Sequence, residues 1–243
     1  MPTMPEAGPL FNPEATIRPV PLTAGQVCLV IDDALRDPQA VARWACDQTF
    51  LPPRGYPYPG LVLEAPAVVA AAMADHFSHK LRRHLDVRRL VDLTARLSLV
   101  TVPPGSLEPR QWQCHRDRIA ADPQRLLFAA SVLYLFRAPG LGGTSFYAPR
   151  QSPDETDRMI AASQSLDAET FSARYGVAPG YMAGSNAWFE RVAQVPAAWN
   201  RLIVYDGGLF HSADVDDPVL LSADPSRGRL TLNGFYTCRR NAR

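Results

Sequence analysis

Charge imbalance is missing from this sequence: 25 Lys and Arg face 24 Asp and Glu in 243 residues, a formal net charge of +1. So even a balance gives no electrostatic footing for nucleic acid or a membrane surface as the main partner. Cysteine is scarce. Cys28, Cys46, Cys114 and Cys238 are scattered without a CxxC pair, which argues against a disulfide framework or a zinc knuckle and for reduced thiols in a cytoplasmic protein. No apolar run reaches the length of a membrane span, and "MPTMPEAGPLFNPEATIRPVPL" has no basic start leading into an apolar stretch, so no secretory signal is expected. The "GLGG" at 140–143 lacks the Lys-Ser/Thr of a phosphate loop, and no Ser/His/Asp nucleophile elbow is present. Histidine numbers only five. Three of these (His76, His79, His84) crowd into "HFSHKLRRHLDVRR", where Leu81, Leu85 and Leu90 form an ordinary buried stripe and the polar face reads as solvated and basic.

With 47% hydrophobic residues the chain can bury a sizeable core without staples. Proline density makes residues 1–25 an extended arm, and 26–243 read as one domain. "QVCLVIDD" is a strand pattern. "DPQAVARWACDQTF" (37–50) begins a helix with an Asp cap and Pro in its first turn, "PPRGYPYPG" (52–60) is a loop, and a second helix is predicted over about 66–84. From 92 the texture changes to short β-branched and aromatic runs: "DLTARLSLVTV", "LFAASVLYLF", "GGTSFY", "AWFERVAQV", "RLIVYDG", "LFHSADV" and "RLTLNGFYTC". Such spacing predicts an α+β protein: a double-stranded β-helix, or jelly roll, over about 92–238 with the N-terminal helices packed on it. A helical insert interrupts it at about 150–180. The wider segment 148–186 is a candidate lid, with Gly176, Gly180 and Gly184 as hinges, or else a cover for a sheet edge.

"QWQCHRD" and "LFHSADV" hold the remaining two histidines. In a strand, residues i and i+2 share a face, so His115 and Asp117 can both point into a barrel mouth while Cys114 points away. His211 lies on a run that a jelly roll can fold beside them. Two imidazoles and one carboxylate suit a divalent iron with open positions, whereas an H-x-D pair taken alone is also what a surface turn contains.

The order of short motifs resembles the Fe(II)/2-oxoglutarate-dependent dioxygenase superfamily, nearest its prolyl-hydroxylase-like branch. "LVTVPPGSLEPRQWQCHRD" is similar to that branch's strand, Pro-Gly turn and H-x-D, and "VLYLFRAPGLGGTSFY" to its next strand and Gly-Gly turn. "RLIVYDGGLFHSADV" resembles its strand–turn–His element and "GRLTLNGFY" its Arg-bearing closing strand. The resemblance implies Fe(II) held by His115, Asp117 and His211, and 2-oxoglutarate anchored by Arg229, with Thr231 on the same strand face. It further implies O2 and an organic substrate, a small molecule or a peptide, with hydroxylation as the outcome. Two departures stand out. His211 and Arg229 are separated by the long loop "DDPVLLSADPSRG", and Val102 occupies the place of a Tyr before the Pro-Gly turn, for which Tyr134 is a candidate replacement. A cupin-like protein using another divalent metal, or a catalytically silent jelly roll that binds a ligand, fits the same residues.

Overall fold

Alternate residues of "RLTLNGFYTCRR", the strand Arg229–Arg240 (β10), meet two different environments. In the computed structural model of the chain, which describes residues 9–23, 25–118 and 120–241, this strand lies near the centre of a seven-stranded antiparallel sheet. It pairs on one side with β4 (Val87–Val100) and on the other with β5 (Leu126–Tyr134). Beyond β4 lies β3 (Gly60–Glu64). Beyond β5 lie β8 (Leu202–Asp206), β2 (Val27–Ile31) and β1 (Ile17–Pro21) in that order. A second sheet holds β6 (Thr144–Pro149) between β7 (Phe189–Val195) and β9 (Phe210–Ala213).

Leu230, Leu232, Tyr236 and Cys238 point to one face of the large sheet. They pack with Leu97, Leu99 and Leu133 against α1 (Pro38–Cys46) and α2 (Ala67–His76), whose Val41, Ala45, Val69 and Met73 are buried there. On the opposite face, Val30, Ala130, Ile203 and Tyr205 meet Phe146 and Val195 of the small sheet. Helices therefore cover one face, and the small sheet covers part of the other. The molecule is mixed α/β and dominated by antiparallel sheets.

Each of the seven runs read from the sequence after residue 92 corresponds to a strand, β4 to β10. Two further strands were not expected. The first is β3, at the end of the 52–60 loop; the second is β1, inside the Pro-rich stretch, where it forms the sheet edge at which proline is tolerated. The helix predicted over 66–84 is corrected in form. It is α-helical only to His76, passes through a π turn (Phe77–Leu81) and a 3-10 turn (Arg82–Leu85), and stops at Asp86 in the left-handed region (φ 54°). Phe77 and Leu81, at the two ends of the π turn, are fully buried.

The insert after β6 forms two helices. The first, α3 (Pro153–Ser163), opens with a capping box between Ser152 and Glu155; the second, α4 (Ala168–Tyr175), opens on Asp167 and ends at Gly176 in the left-handed region (φ 64°). Met159 and Phe171 are completely buried with Trp112, Phe189 and Phe210. The insert has a core of its own, continuous with the small sheet.

Candidate metal centre

His211 is the second residue of β9, and its backbone exchanges two hydrogen bonds with that of His115, N–H to carbonyl in both directions at 2.9 Å. This single bridge places the H-x-D pair. His115 and Asp117 do not belong to a regular strand as the sequence suggested, because the preceding residues coil through two 3-10 turns, Pro104–Ser106 and Pro109–Gln111. The Asp117 N–H donates to the Gly207 carbonyl at 2.9 Å. A side chain at 207 would bring its Cβ to 3.2 Å from Asp117 Oδ2, so the glycine leaves room for the carboxylate.

Three ligand atoms, one each from His115, Asp117 and His211, lie within 4.8 Å of one another. His115 Nε2 is 3.6 Å from Asp117 Oδ1 and His211 Nε2 is 3.5 Å from Asp117 Oδ2. Metal bonds of about 2.1 Å put neighbouring ligand atoms roughly 3.0 Å apart in an octahedron and 3.4 Å apart in a tetrahedron, so small side-chain movements close the set. His211 Nδ1 lies 2.8 Å from the Leu209 carbonyl and donates to it. In the neutral ring that leaves a lone pair on Nε2, directed at a carboxylate which carries lone pairs of its own. A cation belongs between them, either a proton or a metal. Burial by itself would raise the Asp117 carboxyl, but the His211 and His115 rings outweigh it and hold this acid well below the usual carboxylate range. Burial likewise lowers His211, and the Asp117 charge reverses that, for a net upward shift.

Exposure differs among the three. The His211 side chain is 6% exposed, Asp117 19% and His115 57%, so the set has a closed side against β9 and an open one. Tyr205 meets the His211 ring edge-on at 4.9 Å between centroids. Cys114 is buried, its backbone N–H donates to Met182 Sδ at 3.2 Å, and it is not one of the three grouped ligand residues. His76, His79 and His84 belong to α2 and the turns after it and take no part.

The open side faces a cavity of about 1040 Å3 between the two sheets. Arg229, at the first position of β10, lines it and is 3% exposed. Its Nε donates to the Leu141 carbonyl at 2.8 Å and its Nη2 to the Gly143 carbonyl at 2.7 Å. The turn between them depends on Gly142 (φ 67°), where a Cβ would sit 2.2 Å from the Asp214 carbonyl oxygen. Among the described residues Arg229 has no ion-pair partner. A buried guanidinium without a carboxylate favours an incoming anion. Thr231 lines the same cavity, and its hydroxyl accepts from Asn233 Nδ2 at 3.0 Å.

Tyr134 is fully buried and bonds through its hydroxyl to Thr144 Oγ1 at 2.8 Å, with the Arg229 guanidinium 5.8 Å from its ring centroid; Thr144 itself lines the cavity. The periodicity of β5 directs it into the packed layer between the sheets. The tyrosines that line the cavity are Tyr56, Tyr58, Tyr181 and Tyr205, none singled out from the sequence. The Tyr181 hydroxyl donates to the Val102 carbonyl at 2.6 Å, bringing a phenol to the position from which the sequence lacks one. Burial pushes the Tyr58 phenol up to about 12 against the pull of Arg229 and Arg96. A pair of tyrosines within the polar, Pro-rich 52–60 loop was the available signal. The insert contributes Ile160, Ser163 and Gln164 to the wall, and Arg116 ties it down through an ion pair with Asp157 at 2.8 Å.

A family model described as "Family of unknown function (DUF6445)" matches residues 13–236. The chain belongs to this family. No curated protein matches it. Among solved structures, a Pseudomonas putida prolyl-4-hydroxylase is similar at 19% identity, covering 84% of this chain and 84% of its own, with a TM-score of 0.41. AviO1 from Streptomyces viridochromogenes Tue57 is similar at 16% identity over 81% of this chain and 74% of its own, with a TM-score of 0.37. EvdMO1 is similar at 15% identity over 93% of this chain and 56% of its own, with a TM-score of 0.36. Among the described residues no helix is long and apolar enough to cross a membrane.

Proposed function

We propose that this member of DUF6445 is a mononuclear non-haem Fe(II) oxygenase that consumes 2-oxoglutarate and hydroxylates a C–H bond of an organic substrate. The observation that carries the reading is the convergence of two imidazoles and one carboxylate on a cavity that also contains a buried arginine with no ion-pair partner among the described residues. His115, Asp117 and His211 hold the metal on one face, leaving positions on the open side. Fe(II), when bound, supplies the activation of O2 and of the keto acid.

The chain's own groups do the rest. The Leu209 carbonyl fixes the His211 tautomer so that Nε2 is the ligand atom. Arg229 is oriented by two backbone carbonyls and takes the distal carboxylate of 2-oxoglutarate on its remaining edge, with the Thr231 hydroxyl beside it. Asp117 fills the position that a halide ligand would need, which favours hydroxylation over halogenation. In this reading 26–243 act as one oxygenase domain with a jelly-roll core, and O2 with a small organic molecule are the partners.

Anaerobic loading followed by dialysis tests the ligand set. One Fe(II) per chain is expected for the wild type, and His115→Ala and His211→Ala should lose tight iron while keeping the wild-type melting temperature. Unchanged iron content in both variants would overturn the assignment. Preferential retention of another divalent ion, with no response to 2-oxoglutarate, would favour a different metal activity.

A further inference from the structure

Four positions along from Arg229, the same cavity holds a second arginine in a different setting. Arg96 on β4 pairs in register with Asn233 of β10, and both line the cavity. Its guanidinium carbon lies 4.4 Å from the ring centroid of Tyr56 and 4.6 Å from that of Phe235, with Tyr58 at 5.7 Å. Aromatic contacts on this scale leave the in-plane N–H edge of the guanidinium as its route to a polar partner. That edge is unmet: Arg96 Nε is buried without a hydrogen-bond partner, and among the described residues Arg96 has no ion pair. Glu64, its register partner on β3, also lines the cavity and is not bonded to it. Gln113 presents the complementary want, a buried amide oxygen without a donor, on the wall of the same cavity.

We propose that Arg96, held among Tyr56, Tyr58 and Phe235, binds the carboxylate of a small organic substrate, so that this enzyme acts on organic acids. The proposal rests on the oxygenase reading only for the word substrate; the anion subsite stands on its own geometry. A planar fork held among aromatic rings, with its Nε unpaired, is a preorganised partner for a planar carboxylate. Arg229 is already committed to two carbonyls and serves the co-substrate. Arg96 has no such commitment, so the two cations divide the cavity between two anions. The orphaned Gln113 oxygen favours an acid that also carries an N–H or O–H donor.

The test needs neither iron nor turnover. Hippurate, a small acid with an amide N–H and an aromatic ring, is titrated into the full-length protein without added metal or 2-oxoglutarate, alongside its uncharged methyl ester. Binding is followed by saturation-transfer NMR. Hippurate is expected to bind at least about tenfold more tightly than the ester, and Arg96→Gln should erase that difference. Arg96→Lys, which keeps the charge and loses the fork, should retain part of it. No binding by the wild type, equal binding of acid and ester, or full hippurate affinity in Arg96→Gln would each overturn the subsite. Equal loss in the Lys and Gln variants, with unchanged melting temperatures, would reduce Arg96 to a packing residue and overturn it too. Failure of the protein to bind 2-oxoglutarate would sink the oxygenase reading and leave this result untouched.

Discussion

The two faces of the large sheet are built from the same strands and hold opposite chemistry. Along β10, Leu230, Leu232, Tyr236 and Cys238 face the helices, while Arg229, Thr231, Asn233 and Phe235 face the cavity. Along β4, Leu97 and Leu99 face the helices, while Arg96 and Ser98 face the other way, where Ser98 Oγ accepts from Asn233 Nδ2 at 2.9 Å. Along these two strands a period of two therefore sorts one sequence into a face that packs on the helices and a face that lines the cavity. The lesson is a separation of roles: apolar burial carries stability, and the polar face is free to hold unmet donors because that stability lies elsewhere.

Leu232→Ala attacks the helix-covered face where it is densest. Leu232 is completely buried, so the truncation should cost about 2–5 kcal/mol in denaturant unfolding while Fe(II) stoichiometry stays at the wild-type value. Loss of iron in a folded Leu232→Ala protein would show that the faces are not separable.

A smaller effect sharpens the comparison through pH, because the helix-covered face has an ionisable weak point. His76, at the end of α2, stacks on Phe11 with ring centroids 4.1 Å apart, and its Nε2 is buried without a partner. Burial, with Lys80 nearby, lowers its pKa from 6.5 to about 4, and Asp75 offsets only part of this. The unfolded chain therefore takes up this proton at higher pH than the folded one. The contribution is intact above pH 6.5 and is lost as pH falls toward 4, by roughly 1–2 kcal/mol after allowance for partial exposure. His76→Phe should flatten that part of the stability–pH curve relative to wild type; identical slopes would place the acid sensitivity elsewhere.

Thr231→Val makes the smallest change, on the binding face. It preserves shape and removes one acceptor, from Asn233, so stability should shift by no more than about 1 kcal/mol. The measurable loss should instead be in 2-oxoglutarate affinity. A large fall in melting temperature with unaltered affinity would make this hydroxyl structural.

Much of this division was legible in the sequence. The alternating runs marked β4 to β10, and scarcity of histidine outside the α2 region left only His115 and His211, which the fold brings together with Asp117. What stayed hidden depended on long-range packing. Tyr134 and Tyr58 are equally plausible as phenols in a sequence, and only the direction of β5 and the course of the 52–60 loop decide which one meets the cavity. Arg96 sits in "TARLS", a strand pattern in which an arginine reads as solvated; its meaning comes from rings contributed by Tyr56, Tyr58 and Phe235, up to 139 positions away by residue number (235 − 96). The π turn after α2 was likewise not legible, since the run from 66 to 84 carries no local signal for a change of winding.

The most direct measurement is an anaerobic titration of the Fe(II)-loaded protein with 2-oxoglutarate, followed by the visible metal-to-ligand charge-transfer absorption. The account predicts that the band appears with saturable, one-to-one binding in the wild type. In Arg229→Ala it predicts iron retention with affinity for 2-oxoglutarate weakened about tenfold or more, the loss expected for a charge-assisted pair of roughly 1.5–3 kcal/mol. An iron-loaded wild type that develops no band, or an Arg229→Ala protein that binds 2-oxoglutarate as tightly as wild type, would contradict it.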